Sequence, residues 1–384
     1  MWKTPRQPAL ILRLPSQSWL LRTDSKPIAS AHVSLRHFSA LPLDPEAKAQ
    51  KGRLEQVIKT FAAPIRYAIA YGSGVFKQHG YSDAKLGSKD APMVDFIFGV
   101  THPEHWHSLN MRENPSHYSA VRYLGSRFVS VIQENFGGHI YYNPYCTVDG
   151  LTIKYGVVSI DRLNDDLKNW RTMYLAGRMQ KPVMTLREDA RVQLANQTNL
   201  ENAVRVALLL LPSEFTEEEL FIAIAGLSYR GDFRMQVGEN PHKIRNIVTS
   251  QLPLFRAMYQ PIIENMPNVN YVQYDNERLQ QDEDVKVRGQ MLQKLPKSLQ
   301  ERIQTSHRWY ISRTRTQAQT PIGEPLFSQS VVSSPHFEEY VGKGLARVVG
   351  RPALVQSIKG LVTAGPARSA AYVSAKLKKR VGSK

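Results

Sequence analysis

The sequence has no long apolar run and almost no cysteine, and each absence excludes a class of protein. The longest apolar candidate, Val204 to Pro212, is about half the roughly 20 residues that a membrane-spanning helix needs, so any membrane contact is expected to be peripheral. The single cysteine, Cys146, excludes an intrachain disulfide and a cysteine-based zinc site, and favours a reducing compartment. With 384 residues, 42% of them apolar, the chain can still form two ordinary domains.

Acidic residues are almost missing from both ends of the chain, which explains most of its net charge of +17. Residues 1–40 carry +5 (six Lys/Arg against one Asp), and residues 340–384 carry +10 (ten Lys/Arg and no acid), which leaves +2 for the residues between them. Where the charge sits decides what it means. The nearly neutral centre argues against a nucleic-acid partner, and each basic end needs its own explanation.

The N-terminal segment is rich in Arg, Ser and Leu and lacks the continuous apolar stretch of a secretory signal. This composition is typical of a mitochondrial transit peptide. Arg36-His37-Phe38-Ser39 resembles a processing site at which cleavage follows an aromatic residue. We therefore predict a transit peptide over residues 1–38 and a mature start near Ser39; a basic tail without a targeting role is the alternative.

The C-terminal segment, residues 340–384, is a basic amphipathic tail. Residues 341–349 and 354–362 repeat apolar side chains at helical spacing among Lys and Arg, and Pro352 is expected to break the helix between them. Such a segment binds anionic lipid through shallow apolar burial and roughly 1 kcal/mol for each basic residue near the surface. A helix docked on its own protein and a solvated tail are alternatives. RNA binding is disfavoured because Tyr372 is the only aromatic residue after position 340.

A glycine turn follows the first predicted strand. Residues 54–65 show helical spacing, residues 65–71 form a short apolar run, and Gly72-Ser73-Gly74 comes directly after it. Flanking glycines free the backbone around Ser73 to cradle an anion, and a short helix over Val75–His79 would direct its N-terminus to the same place. Taken alone, the turn is equally compatible with a simple surface loop.

An aspartate interrupts the next apolar strand, Met93–Val100. Burying an unpaired carboxylate is costly, so Asp95 is expected to meet a cation, a metal ion or hydrogen-bond donors. A Gly-Ser turn after one strand and an Asp on the next is the order typical of the nucleotidyltransferase fold, in which the Asp holds Mg²⁺. The alternative is an Asp that caps a loop at the end of the strand.

Other polar residues are candidates with weaker support. Lys154 lies in the predicted strand 151–159, where it could reach a phosphate or extend to the surface. A zinc site from His105, His107 and His117 is conceivable but disfavoured, because no second ligand cluster completes a tetrahedron. The apolar stripe Val121, Leu124, Phe128, Val131, Ile132 and Phe136 predicts a helix that ends at Gly137-Gly138 and belongs to the core.

The second half of the chain is predicted to be mostly helical. Thr216 and Glu219 form a capping box at the start of one helix, and residues 311–339 resemble a linker before the tail. A charged loop over residues 229–243 interrupts the helices, and long loops of this kind often carry function. Asp232 in that loop is either a partner of Arg230 and Arg234 or a second acidic group for a metal.

Four segments together resemble the mitochondrial CDP-diacylglycerol synthase family. They are Tyr71-Gly72-Ser73-Gly74-Val75-Phe76, the strand Val94–Val100, His105-Trp106-His107 with Asn110, and Tyr229-Arg230-Gly231-Asp232 with Glu239-Asn240-Pro241. The resemblance extends from about Gly52 to His307. It implies an α+β protein, with a nucleotidyltransferase-fold domain around a mixed sheet at 52–184 and a helical winged-helix-like domain at 185–310. It also implies a peripheral place on the matrix side of the mitochondrial inner membrane.

The resemblance further implies the reaction and the residues that serve it. A phosphatidic acid oxygen attacks the α-phosphorus of CTP and pyrophosphate leaves, forming CDP-diacylglycerol for cardiolipin synthesis. The implied catalytic residues are Ser73, Asp95, Lys154 and Asp232. The implied nucleotide-binding residues are Tyr71, Gly72, Ser73, Gly74, Lys77, His105 and Asn110. The implied Mg²⁺ ligands are Asp95 and Asp232.

One departure from the fold's usual pattern concerns the metal. Many nucleotidyltransferases carry Asp-x-Asp, whereas here Asp95 is followed by Phe96 and Ile97. The second ligand then comes from Asp232 or from substrate phosphates, or one metal alone is held. The residues leave two other functions open: a nucleotidyltransferase with a different acceptor, and a non-enzymatic factor for assembly of the inner-membrane import machinery.

Overall fold

The computed structural model describes residues 44–76, 87–88, 91–237, 240–272, 275–314, 325–365 and 370. The predicted transit peptide and Lys77 lie outside the described residues, as do Glu239 and the basic end of the tail after residue 370.

A mixed five-stranded sheet organises the first half of the chain. Its strands are β1 (Tyr67–Tyr71), β2 (Val94–Val100), β3 (Tyr141–Val148), β4 (Leu151–Ser159) and β5 (Met184–Arg187). They lie in the order β3-β4-β2-β1-β5, with β2 and β4 parallel and the other pairs antiparallel. The predicted α+β class and the mixed sheet are confirmed.

Fourteen α-helices lie within the described part of the chain. They are α1 (Pro45–Lys59), α2 (Pro103–Glu113), α3 (Gly125–Asn135), α4 (Ile160–Asn169), α5 (Ala176–Met179), α6 (Ala190–Leu210), α7 (Glu217–Leu227), α8 (Arg234–Val237), α9 (Lys243–Ser250), α10 (Leu252–Glu264), α11 (Val285–Gln293), α12 (Lys297–Thr314), α13 (Pro325–Val332) and α14 (Phe337–Ala364). Two 3₁₀ helices, Pro115–His117 and Ala120–Leu124, lie between α2 and α3. No helix among these residues combines the length and apolarity of a membrane span.

Both faces of the sheet are covered. Side chains alternate along a strand, so Val94, Phe96 and Phe98 of β2 enter a core shared with α1 and Trp106 of α2. Ile97 enters a second core, shared with α4, α6 and the helices that follow. Because that core continues from the sheet into the helical half, the sheet face that carries Ile97 and its neighbours lies against the second half of the chain.

The helical half contains strands that the sequence analysis did not predict. The capping box at the start of α7 is confirmed, since the Thr216 hydroxyl accepts from the Glu219 backbone N–H while the Glu219 carboxylate accepts from the Thr216 N–H. A small antiparallel sheet in the order β6-β8-β7 accompanies the helices; its strands are β6 (Glu214–Thr216), β7 (Val269–Val272) and β8 (Asp275–Gln281). These strands are short and contain many polar residues, so their sequences show little of the apolar alternation that identifies a strand.

The predicted core stripe of residues 121–136 is wrong. Most of its side chains face outward: Leu124 is 60% exposed, Phe128 41%, Val131 48% and Phe136 52%. The helix itself exists, as the 3₁₀ turn followed by α3, but its buried positions are Val129 and Gln133. Periodicity locates an apolar face without saying what covers it.

The C-terminal tail also differs from its prediction. Helix α14 runs through Pro352 without the expected break. Val341, Leu345 and Val348 are buried, and α14 packs on α12, so this part of the tail follows the alternative of a helix docked on its own protein. Leu354, Ile358, Leu361 and Val362, which follow Pro352, are instead exposed.

Candidate active site

The polar residues predicted around the first strands lie side by side across the sheet. Tyr71 pairs with Asp95 between β1 and β2, and Asp95 pairs with Lys154 between β2 and β4. Directly paired residues project from the same face, so the three side chains form one row. Lys154 Nζ donates to Asp95 Oδ1 at 3.0 Å, with Lys154 18% and Asp95 24% exposed. The row is therefore open to a ligand while its charges are paired.

The glycine turn lies against this row. Gly72 has φ +84°, and its carbonyl accepts the N–H groups of Val75 and Phe76 at 3.0 Å each. A Cβ at Gly72 would stand 3.2 Å from Asp95 Oδ2, and a Cβ at Gly74 would stand 2.8 Å from the Met93 carbonyl oxygen. Glycine is therefore favoured at Gly72 by its positive φ and at Gly74 by close approach to the backbone, and the turn lies against the Asp95 carboxylate.

Two tyrosines and an arginine complete the surroundings of the row. The Lys154 ammonium lies 4.5 Å from the ring centre of Tyr142, whose hydroxyl is 3.5 Å from that of Tyr71. The Arg178 guanidinium lies 4.9 Å from the ring centre of Tyr71. Burial, and for Tyr71 also the charge of Asp95, raises the pKa of both tyrosines well above the ordinary value, so they stay protonated and can donate hydrogen bonds.

Arg178 was missed by the sequence analysis. It lies on the short helix α5, and its Nη2 donates to the Pro182 carbonyl at 3.2 Å. Its Nε is buried and has no partner among the described residues. Burial lowers the pKa of the guanidinium, which nevertheless stays charged because an arginine titrates far above neutral pH. An unpaired donor on a fixed cation next to Asp95 is suited to an anionic ligand.

Two lysines extend the positive charge toward the second half of the chain. Lys181 is buried, donates to Ser228 Oγ at 2.9 Å, and lies 5.1 Å from the ring centre of Tyr229. Lys243 lies 5.3 Å from the same ring. Burial, with Arg178 and Lys243 nearby, lowers the pKa of Lys181 well below its ordinary value. The signal that could have revealed this cluster is the pair of cations at 178 and 181 within a largely apolar stretch.

Asp232 lies in a different setting from Asp95. It is buried, and both of its carboxylate oxygens accept hydrogen bonds from Arg234, with Arg234 Nη2 2.6 Å from Oδ2. No group of three or more His, Cys, Asp or Glu that could hold a metal ion occurs in the part of the chain that the structure describes. Of the three residues of the row, Asp95 is the acidic one. One carboxylate with substrate phosphates is a usual Mg²⁺ environment.

The structure does not bring Asn110 to the row. Asn110 is fully buried, and its amide donates to the hydroxyls of Tyr118 at 3.0 Å and Tyr155 at 2.9 Å. Tyr155 follows Lys154 on β4 and so points to the opposite face of the sheet. The interactions of Asn110 hold the core behind the sheet.

The three histidines considered for a zinc site have different surroundings. His105 is exposed on α2, whereas both ring nitrogens of His107 lie within hydrogen-bond distance of partners, Tyr118 at 2.8 Å and Gln133 at 2.9 Å. Burial lowers the pKa of His107 to about 4, which keeps it neutral. His117 is within 2.9 Å of the Tyr155 hydroxyl. These contacts explain the polar residues of α2 as parts of a hydrogen-bonded core.

Comparison with known proteins gives one consistent result. The sequence model of the family described as "Phosphatidate cytidylyltransferase, mitochondrial" matches residues 54–379. A protein of that name from Schizosaccharomyces pombe is 38% identical over 394 residues, covering 97% of this chain and 96% of its own. The Xenopus laevis protein is 39% identical, covering 86% of this chain and 95% of its own. The Saccharomyces cerevisiae protein is 45% identical over 57% of each chain.

Proposed function

Because the chain belongs to the family of mitochondrial phosphatidate cytidylyltransferases, we propose that it joins CTP to phosphatidic acid at the row of Tyr71, Asp95 and Lys154. The products are CDP-diacylglycerol, which supplies cardiolipin synthesis, and pyrophosphate. The observation that carries this assignment is the Gly72 turn against Asp95, with Lys154 paired to the same carboxylate at 3.0 Å. Backbone donors, a carboxylate and a cation at one point suit a nucleoside triphosphate.

The reaction is an in-line displacement at phosphorus. An oxygen of the phosphatidic acid phosphate forms a bond to the α-phosphorus of CTP, and the bond from that phosphorus to the pyrophosphate oxygen breaks. No covalent intermediate with the protein is needed, so the residues act by positioning and charge neutralisation. The backbone of Gly72, Ser73 and Gly74 holds the triphosphate. Lys77 lies outside the described residues and stays a predicted phosphate contact.

Two cations are assigned to the phosphate that the row receives. Lys154 exchanges Asp95 for a phosphate oxygen when the nucleotide binds. Arg178 directs its unpaired Nε to the same anionic group, which brings acceptor and nucleotide together despite their like charge. His105 and Asn110 are not part of this proposal, because the first is exposed on α2 and the second is buried on the other face of the sheet.

Mg²⁺ is the proposed cofactor, and Asp95 is the residue that would hold it. When bound, the ion neutralises charge on the triphosphate and the leaving pyrophosphate. Arg234 already neutralises Asp232, so we assign Asp232 to ordering its loop rather than to the metal. The remaining ligands then come from substrate phosphates, which agrees with the missing second Asp of the strand.

The organisation of the chain follows from the same assignment. Residues 52–184 form the nucleotidyltransferase-fold domain, and the mixed sheet order supports it. Residues 185–310 form the winged-helix-like domain, supported by helices packed beside a three-stranded sheet. Residues 1–38 direct the chain to mitochondria. There it is peripheral on the matrix side of the inner membrane, bound to anionic lipid by the tail beyond Pro352.

The direct test uses purified protein, radiolabelled CTP and Mg²⁺, with phosphatidic acid dispersed in detergent micelles. Labelled CDP-diacylglycerol and pyrophosphate are the expected products, and neither forms when phosphatidic acid is omitted. Protein that binds CTP but leaves phosphatidic acid unlabelled in micelles would refute the proposal. Label transferred instead to RNA or to protein would identify a different acceptor for the same site.

A further inference from the structure

Helix α3 turns large apolar side chains to the outside of the protein. Phe128 and Val131 lie on α3 itself, Tyr123 and Leu124 end the 3₁₀ helix before it, and Phe136 follows it directly. Tyr123 is 77% exposed, and the others are 41–60% exposed. We call these five residues the α3 surface. A single exposed apolar side chain needs no explanation, but several neighbouring large ones indicate a surface that a partner covers.

The part of α14 after Pro352 buries polar side chains and exposes apolar ones. It buries Gln356, Lys359 and Thr363, while the apolar side chains of its other side are exposed. The exposed residues are Leu354, Ile358, Leu361 and Val362, which we call the α14 surface. A helix docked on a protein normally does the opposite. The apolar side of α14 therefore also indicates a missing partner.

The two surfaces belong to neighbouring helices that are joined by hydrogen bonds. Lys359 Nζ donates to the carbonyl of Phe136 at 2.6 Å, at the end of α3. Gln356 accepts from the Gly138 N–H at 3.0 Å, and the Ser119 hydroxyl donates to the Thr363 carbonyl at 2.7 Å. The buried polar side of α14 is thus what fastens it beside α3, with its apolar side left outside.

Positive charge borders both surfaces. Arg127 is exposed on α3, and Arg347 and Arg351 precede Leu354 on the exposed side of α14, as does Lys343, which pairs with Glu339. At 100° per residue, these three cations and the α14 surface share one stripe, with the cations first and the apolar residues after them. Residues 340–384 contain no acidic residue. Cations beside shallow apolar burial match an anionic lipid surface better than an apolar protein groove.

The segment just beyond α3 reaches the surroundings of the proposed active site. A Cβ at Gly138, just beyond α3, would meet the ring of Tyr174 at 2.5 Å, so this ring packs directly on the end of the helix. The ring centres of Tyr174 and Tyr142 are 6.5 Å apart, and Tyr142 contacts Lys154. The loop after α3 therefore connects to the surroundings of the row.

We propose that the α3 surface is a second membrane-docking site, which with the α14 surface holds the nucleotidyl-transfer half of the protein directly on an anionic bilayer. This extends the proposed function, in which only the tail contacts lipid, and it rests on that function for the lipid substrate. The contact explains why α3 is apolar on the outside, and it adds a second attachment point to that of the tail.

Flotation with vesicles tests the α3 surface separately from the tail. The vesicles contain equal amounts of phosphatidylcholine and phosphatidylglycerol, and the variant carries Phe128→Gln and Val131→Gln. We expect its partition coefficient to fall about tenfold or more, since two large apolar side chains no longer enter the interface. Leu194→Gln is the matched control: Leu194 on α6 is 55% exposed, lies outside both surfaces, and should leave partition unchanged.

Activity and oligomeric state complete the experiment. In detergent micelles the double variant should make CDP-diacylglycerol at the wild-type rate and melt at the wild-type temperature, which shows that fold and site are intact. Wild-type flotation by the double variant overturns the inference. So does a wild-type dimer in sedimentation that becomes monomeric in the variant, because a second copy would then cover the surface. Inactive wild-type protein in micelles would instead refute the proposed function, whatever the flotation shows.

Discussion

Replacing Asp95 with Asn tests the proposed site most directly, because it removes one charge while keeping the shape of the side chain. Asp95 Oδ1 is 3.0 Å from Lys154 Nζ, and Oδ2 faces Gly72. If Asp95 holds the metal that neutralises the triphosphate, kcat should fall about 10²–10³-fold, which corresponds to roughly 3–4 kcal/mol of lost transition-state stabilisation.

The effect on stability should be much smaller. At 3.0 Å, the attraction between the two charges is about 5 kcal/mol for an effective dielectric constant of about 20. Desolvation and solvent screening of side chains 24% and 18% exposed reduce the net contribution of the pair to about 1–2 kcal/mol. The melting temperature should therefore fall by only a few degrees, roughly 2–4 °C per kcal/mol.

Glu201→Gln is the matched control for this substitution. Glu201 pairs with Arg205 on α6 at the same 3.0 Å and at comparable exposure, but the pair lies outside the proposed site. It should leave kcat unchanged and lower the stability by less than about 1 kcal/mol. The assay is formation of labelled CDP-diacylglycerol at saturating Mg²⁺, with circular dichroism melts of each protein.

A clear result would refute the reasoning. If the Asp95→Asn protein is folded and turns over CTP and phosphatidic acid as fast as wild type, Asp95 does not hold a catalytic metal. If its rate falls only in proportion to its folded fraction, the Asp95–Lys154 pair serves the fold rather than the reaction.

Three further substitutions have distinct expected outcomes. Gly72→Ala should lower the free energy of unfolding by about 1–2 kcal/mol because of its positive φ, and should also lower kcat because the new Cβ crowds Asp95. Gly150→Ala is its control, since Gly150 has φ +72° in open space. In melts and rate assays it should show the loss of stability alone. Arg178→Lys should raise KM for CTP or phosphatidic acid about tenfold in steady-state kinetics, because a point charge replaces the planar donors. Burial lowers the pKa of Lys359 to about 7 in the folded protein. Between about pH 7 and pH 10 the unfolded state therefore binds more protons than the folded state, and the free energy of unfolding rises with pH. Lys359→Met should flatten that rise, measured as the urea midpoint at each pH.

The glycine turn and Asp95 could be chosen from the sequence as candidate site residues because their signals are local. A glycine turn at the end of one apolar run and an aspartate within the next are visible in a few residues, and the structure places both with Lys154. The strands themselves were recognisable since their apolar runs are short and continuous. Their pairing is not local: the parallel pairing of β2 and β4 brings together Asp95 and Lys154, which are 59 positions apart in the sequence.

The missed features depend on contacts that no short pattern contains. Arg178 is placed by a four-residue helix, α5, too short to show a period. The outward face of α3 has the same helical spacing as a core helix, and only the tertiary arrangement distinguishes the two. Asn110 shows the opposite difficulty. It was predicted to bind the nucleotide because it lies near a motif, whereas in the structure its amide donates to the buried hydroxyls of Tyr118 and Tyr155.

The row of Tyr71, Asp95 and Lys154, which is the proposed site, depends on the correct alignment of three strands. A slip of one residue between β2 and either neighbour would turn Asp95 into the core of Phe96 and Phe98 and bring an apolar side chain to the nucleotide. The burial of both faces of β2 penalises every such slip. Correct strand pairing and assembly of the proposed site are thus one event.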